Sequence, residues 1–505
     1  MKHIFLKGST KYKHKIIITD LKSLIKKKRV KQTGKKKMVN DKMTEGVAAL
    51  LGDPKRAILK MSWPMVIAMT AQTTYNLADA IWVAGLGADA LGAVGLFFPF
   101  IMLLIGLSNG LGIGGSSAIS RRIGRKDKAG ADNTAVHTLI LGLSIGLAVS
   151  LPFLPFLDDI FASMGATGDA ASMATQYSRI LFSGAIFIFF ASIGNNILRG
   201  EGDAKRAMYA LVLGSVLNIV LDPICIYVLD LGVAGAAWAT LLSMALSAML
   251  IYYWIFVNRD TYVDITWRDF RPSRSLTKEI LNVGIPSSMS MLSMSFSVFL
   301  LNLIILQVGN TDGIAIFTTG WRVVSVGTMP LLGVAAGVTA VTAAAYGARD
   351  VEKLDTAYMY ALKIGIAVEA VVALAVFVLS PQITSLFTYA GDAQMLAGDI
   401  TRFLRYTVLF YPTVPLGMLT ASLFQGINRG INALAATLIR TVVLQVCTAY
   451  LFGIVFDFGL EGVWVGIVGG NIIAAVVVTF PWGRLTVRRL RHSFSSRSSD
   501  TDNVS

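Results

Sequence analysis

A dozen apolar stretches, each longer than about 18 residues and closed by Gly, Pro or charged turns, run through the chain, and a stretch of that length spans the hydrocarbon core of a bilayer. They fall at 58–85, 90–117, 133–155, 172–198, 206–229, 233–257, 278–306, 313–340, 356–379, 397–424, 431–455 and 460–484. Backbone amides in hydrocarbon must be satisfied within their own segment unless a barrel closes, and no stretch alternates in the way of a barrel strand. The expected fold is therefore an all-α polytopic membrane protein with twelve transmembrane helices. With 54% hydrophobic and 15% charged residues and a mean hydropathy of +0.63, soluble alternatives are excluded.

Charge in the turns predicts orientation. The turns near 121–128, 199–206, 258–278, 349–353 and 429 carry sixteen Lys or Arg, whereas the alternating turns carry none, so both termini are expected in the cytoplasm of a cell membrane. The first 60 residues hold 18 of the 45 Lys and Arg and are read as a disordered basic arm that reinforces this topology. Lipid binding by that arm is the second reading, and nucleic acid is not an expected partner. No cleavable signal peptide is visible, and Met38 and Met43 are candidate alternative starts. Cys225 and Cys447 lie in separate spans and are expected to remain free thiols.

An internal repeat divides the chain. ILRGEGDAKRA at 197–207 matches LFQGINRGINA at 423–433, DLGVAG at 230–235 matches DFGLEG at 457–462, and Pro64 and Gly87 correspond to Pro286 and Gly309. Six spans per half is an even number, so the copies share one topology and are related by an axis along the membrane normal. The expected organisation is an arm at 1–55, an N-lobe at 56–257, an interlobe linker at 258–277, a C-lobe at 278–485 and a cytoplasmic tail at 486–505. The two pseudo-symmetric six-helix bundles would flank a central cavity.

Against this apolar background Asp79 and Asp222 stand out, because an ionisable group at bilayer depth costs about 2.5 to 3.5 kcal/mol even on lenient insertion scales. The repeat supplies a control: Asp79 corresponds to Leu301, and Asn218 and Asp222 correspond to Leu444 and Thr448, so the scaffold does not need the acids. Counting from the outer turns places Asp79, Asp222 and Thr240 at one level, about 13 Å below the surface at 1.5 Å per residue. Asn218 lies one turn below Asp222 on the same helix face. Pro223, lacking an amide hydrogen, leaves the Ile219 carbonyl without its helical donor. A carboxylate pair suits proton exchange, and the added Asn, Thr and carbonyl oxygens suit Na⁺, so the residues leave both ions open.

The first span with Asp79, the RRIGRKDK and ILRGEGDAKRA turns, NIVLDPI and the two six-helix halves together resemble the multidrug and toxic compound extrusion family over about residues 55–485. The pattern is similar to the prokaryotic branch of DNA-damage-inducible protein F. The resemblance implies an N-lobe cation site at Asp79, Asn218 and Asp222, with Thr240, Asn195 and Tyr177 as further matches, although the depth count puts Asn195 nearer the cytoplasm. It also implies export of amphipathic, often cationic, organic solutes in exchange for H⁺ or Na⁺, by a monomer with no other cofactor. The alternative is a flippase of the same superfamily for a lipid-linked saccharide precursor, whose cavity would be richer in cations. Another branch carries coupling acids in its seventh and tenth helices; here Glu369 in the ninth span is instead a candidate C-lobe cavity residue. Arg179, Arg322, Arg402, Arg405 and Arg440 are expected to snorkel or pair locally. No enzyme motif competes: there is no P-loop or nucleophile elbow, the four His residues lack metal-ligand spacing, and GIGGSS at 112–117 reads as helix packing.

Overall fold

The computed structural model describes residues 43–266, 268, 270–388 and 391–502. Most of the expected basic arm, residues 1–42, lies outside them. Among the described residues the only regular secondary structure is helical. After a short helix, Glu45–Leu51, twelve long segments follow. These are α1 (Pro54–Ala84), α2 (Ala88–Gly124), α3 (Lys128–Ser163), α4 (Gly168–Gly200), α5 (Ala204–Val228), α6 (Gly232–Asn258), α7 (274–309), α8 (311–347), α9 (Val351–Phe387), α10 (Gln394–Gly426), α11 (Gly430–Val455) and α12 (Gly459–Phe494). Helix α12 continues in the same direction to Asp502.

Local chemistry explains where the helices start. On the face with the basic turns, α1, α3, α5, α7 and α9 open with Asp53, Asp127, Asp203, Ser273 and Asp350, each side chain accepting from the backbone N–H three residues on. On the opposite face the two copies of the D-x-G turn share one backbone, with Asp230 and Asp457 at φ 53° and 56° and Gly232 and Gly459 at φ 55° and 64°. The repeat read from sequence is thus a repeat of turn geometry. Helices α7 and α8 run together except at Asn310, whose φ of 52° and ψ of −152° mark the turn. Helix α4 bends by 51° at its break beside Gly184.

Several helices outrun the apolar stretches on the basic face, α2 to Gly124 and α8 to Gly347, because small residues there pack helix against helix. A Cβ on Gly110 would meet the Ser288 amide nitrogen at 2.6 Å, and one on Gly114 would meet the Ile280 carbonyl oxygen at 2.3 Å. On Gly124 it would strike the backbone of Ala344, and on Gly347 that of Arg121. Further in, Gly333 lies against the Met65–Val66 backbone. All these approaches join the N-terminal six helices to the C-terminal six, and all lie in the halves of α1, α2, α7 and α8 nearest the basic face. Gly92 and Gly95, in the other half of α2, face nothing within 4 Å.

Polar contacts reinforce the same seam. The guanidinium of Arg121, 1% exposed, donates from Nε to Glu279 Oε1 at 2.9 Å and from Nη1 to the Gly426 carbonyl at 3.0 Å. Arg122 Nη2 donates to Glu279 Oε2 at 2.8 Å, so one carboxylate of α7 is held by two cations of α2. A cavity of about 340 Å³ lies beside this clasp, lined by Arg125, Lys278, Asn282 and Tyr346 among others. It belongs to the seam, not to the acidic cluster described next.

Candidate cation site in the N-lobe

The acids predicted from sequence meet in one place. Helix α5 presents Asn218 and Asp222 four residues apart, and both are buried, at 1% and 0% exposure. Asn218 Nδ2 donates to Asp222 Oδ1 and to Thr240 Oγ1 of α6, each at 3.3 Å. Its amide hydrogens are thereby committed, and its oxygen is left buried. The Asp79 carboxyl of α1 lies within hydrogen-bonding reach of the Asp222 carboxyl. Tyr177 of α4 stands within electrostatic reach of both acids, its ring held edge-on against Phe97 at a centroid distance of 5.4 Å.

The decisive feature is what these atoms lack. Asp79 Oδ1, Asn218 Oδ1 and Asp222 Oδ2 are buried and accept no hydrogen bond. A buried polar atom without a partner costs about 1 to 3 kcal/mol, and charged groups cost more, so three such oxygens together require something electropositive among them. Two carboxylates so close repel unless a proton or a metal cation lies between them. Among the described residues no group of three His, Cys, Asp or Glu comes together to hold a metal ion. The donor set is instead two carboxylates with neutral amide and hydroxyl oxygens, hard ligands that fit a proton or an alkali cation better than a transition metal.

Tyr75 belongs to this site and was not singled out from the sequence. It lies one turn before Asp79 on α1, within electrostatic reach of Asp79, Asp222 and Tyr177. The i, i+4 spacing to Asp79 was the available signal. Beyond Pro223 the chain passes into π-helical geometry over Ile224–Val228, as expected where a proline removes a backbone donor. The Tyr227 hydroxyl then donates to the Trp82 carbonyl at 2.6 Å, fastening the ends of α5 and α1 above the acids.

Asn195 is placed elsewhere. Its Nδ2 donates to the Ala207 carbonyl at 2.7 Å, tying α4 to the first turn of α5. Ala207 precedes Asn218 by eleven residues, about 16 Å of helix, which agrees with the depth count and separates Asn195 from the cluster.

In the C-lobe Glu369 is fully buried, and neither carboxyl oxygen has a hydrogen-bond partner. Tyr411 of α10 stands near it with its own hydroxyl unpartnered. Lys363 is exposed and does not neutralise the acid. Of the arginines expected to snorkel or pair, Arg179 meets Asp158 at 3.4 Å, Arg402 meets Glu461 at 2.9 Å, Arg405 lies over Phe377 and Arg322 is exposed. Arg440 pairs locally and does not snorkel: it is 7% exposed and its Nη1 donates to Asn471 Oδ1. It lies ten residues inside α11, about 15 Å from the helix start, too deep for its side chain to reach water at the basic face.

Comparison with known proteins agrees with the repeat and the fold. The MatE family model matches twice, over residues 64–224 and 286–451, beginning at the repeat-related Pro64 and Pro286. Multidrug export protein MepA of Staphylococcus aureus is 27% identical over 429 residues, which is 84% of this chain and 93% of MepA. Among solved structures, one described as MATE in complex with MaL6 is 54% identical, with a TM-score of 0.88 over 89% of this chain and all of that one. An outward-facing conformation of a multidrug resistance MATE family transporter of the MOP superfamily is 53% identical, with a TM-score of 0.87 over 89% of this chain and 99% of that one. With twelve helices in a duplicated arrangement and the family model matching both copies, the chain belongs to the MatE family of multidrug-export transporters.

Proposed function

We propose that the protein is a secondary antiporter that exports amphipathic, often cationic, organic solutes in exchange for H⁺ or Na⁺. The observation that carries this reading is the set of three buried, unpartnered oxygens on Asp79, Asn218 and Asp222. Asp79 and Asp222 would supply the charge that attracts the ion, while Asn218 and Thr240 would supply the neutral oxygens and hold the geometry. Tyr75 and Tyr177 border the pocket as aromatic walls with a hydroxyl tip.

The asymmetry of the seam supports alternating access. With the basic face in the cytoplasm, as the turn charges favour, the packed seam would lie on the inside and the lobes would part on the outer side. Inward opening would break the Arg121 and Arg122 contacts to Glu279 and separate the glycine-packed helices. Cation and solute each shift that equilibrium only by their difference in affinity for the two states. The protein would work in the cell membrane as a monomer, each lobe one rigid half of the rocking pair.

The test is export of a fluorescent organic cation from proteoliposomes, with a pH gradient and a Na⁺ gradient imposed separately. Export driven by either gradient supports the reading and identifies the ion. Solute movement indifferent to both gradients, or movement of a lipid-linked saccharide in place of the organic cation, would reject antiport and favour the flippase alternative.

A further inference from the structure

Arg440 poses a second question at bilayer depth. Its Nη1 donates to Asn471 Oδ1 at 3.3 Å, while among the described residues Nε and Nη2 have no acceptor. Those two nitrogens are not sealed inside the protein, in contrast to Arg199 Nε, which is buried and unpartnered. Among the described residues no Asp or Glu pairs with Arg440. Intramembrane arginines pair with one another, with carbonyls or with acids, or they mark a pathway, and this one has a single amide oxygen.

The surroundings are built to hold it. Asn471 Oδ1 also accepts from Gln445 Nε2 at 3.3 Å, and Asn471 Nδ2 donates to Thr413 Oγ1 at 2.7 Å, so α10, α11 and α12 fix one another around the guanidinium. A Cβ on Gly417 would stand 2.7 Å from Arg440 Cδ, which makes glycine the residue that admits the arginine stem. The repeat explains the location. Asn218 and Thr240 correspond to Leu444 and Ile467; Arg440 lies one turn below Leu444 and Asn471 one turn below Ile467. The C-lobe thus places a cation one turn deeper on α11 and α12, the repeat-related counterparts of α5 and α6.

We propose that Arg440, oriented by Asn471, is a subsite for the carboxylate of an amphipathic solute carried by this protein. The guanidinium is planar and permanently charged, and its two free nitrogens offer the parallel donors that a carboxylate accepts. A zwitterionic solute would then meet charge of the matching sign in each lobe. The word carried rests on the antiport reading; the binding site itself does not.

The experiment is equilibrium binding of rhodamine B and of its ethyl ester, which differ in the charge of one carboxyl, to purified full-length protein in detergent at pH 7.5. Fluorescence polarisation is read against a protein-free blank. Wild type should bind the acid at least about tenfold more tightly than the ester, the usual yield of a charge-assisted pair. Arg440→Gln should bind the two within about twofold, and Arg440→Lys, with charge but no fork, should fall between them. Equal affinities in wild type, or a preference that survives in Arg440→Gln, would overturn the proposal. If Arg440→Gln does not fold, the wild-type ratio decides alone. No gradient enters this measurement, so its failure and the failure of antiport are separate results.

Discussion

The two lobes repeat one six-helix arrangement and leave opposite charges unbalanced inside it. In the N-lobe, α1 and α5 bring Asp79 and Asp222 together with no cation among the described residues to neutralise them; in the C-lobe, α11 holds Arg440 with no acid. Their counterparts show that neither charge serves the scaffold: Asp79 answers to Leu301, Asp222 to Thr448 and Arg440 to Gly214. Helix packing needs only small residues at close approaches and capped turns, and both copies have them. A duplicated bundle is thus free to place different polar chemistry in each half. The comparison also has a residue that complicates it, because Glu369 and Tyr411 leave an unpartnered carboxyl and hydroxyl in the C-lobe as well.

The sharpest way to break the comparison is to neutralise one acid and to create its mirror image. Asp222→Asn keeps the shape of the side chain and removes its charge, so gradient-driven export in proteoliposomes should fall to the protein-free background while the detergent-solubilised protein remains monodisperse. Leu301→Asp puts a carboxylate at the repeat-related position of a buried leucine. It should cost about 2.5 to 3.5 kcal/mol of insertion and lower the yield of folded protein without adding cation binding. Full transport by Asp222→Asn would detach the acids from coupling.

A shift in conformation, with transport reduced but not abolished, is expected at the seam that both lobes share. Glu279→Gln leaves the Arg121 guanidinium, 1% exposed, without its carboxylate, and breaking a buried pair in this way costs about 3 to 5 kcal/mol. The closed basic face should lose population. Spin labels at the exposed positions Arg125 and Arg274 should report a longer separation in the variant than in wild type. An unchanged distance distribution would show that the glycine-packed contacts hold the seam without the ion pairs.

How far all this was legible in the sequence depends on which physical rule was in force. Helices, repeat and acids were legible because burial in hydrocarbon is costly and leaves long apolar runs with rare exceptions. The depth count worked for Asp79, Asp222 and Thr240 because rise per residue is constant, and it separated Asn195 for the same reason. Tyr75 escaped notice because an aromatic in a polar run reads as ordinary cavity lining. For Arg440 the sequence left snorkelling and local pairing open, and only the fold shows Asn471 and Gly417 holding it in place. The first helix carries so polar a face, TAQTTYNLAD, that it is not among the nine helices of the described residues that are long and apolar enough to cross a membrane by composition alone.

The smallest expected effect is a pH dependence outside the membrane spans. Glu201, in the turn after α4, is 1% exposed and accepts the Val263 amide at 2.9 Å, and burial pushes its carboxyl up to about 8. An acid raised in the folded state contributes stability below its unfolded value of about 4.3 and loses it as pH rises through the folded value. Docking of the segment around Val263 should therefore weaken progressively above about pH 4.3 and level off above about pH 8. The protection factor of the Val263 amide, its exchange rate relative to the intrinsic rate at each pH, should fall over that window in wild type and stay flat in Glu201→Gln, which still accepts the hydrogen bond; an equal fall in both would assign the effect to another group.

The central claim is that Asp79, Asn218 and Asp222 form one cation site and not two acids that happen to lie close together. Counting cations bound per protein, by Na⁺ titration calorimetry with proton release followed in parallel, tests it directly on wild type, Asp79→Asn, Asp222→Asn and the double variant. The account predicts a single binding event in wild type that both single variants abolish and the double variant cannot diminish further. If each single variant instead keeps an event of its own and only the double variant is silent, the acids act independently and the site as described does not exist.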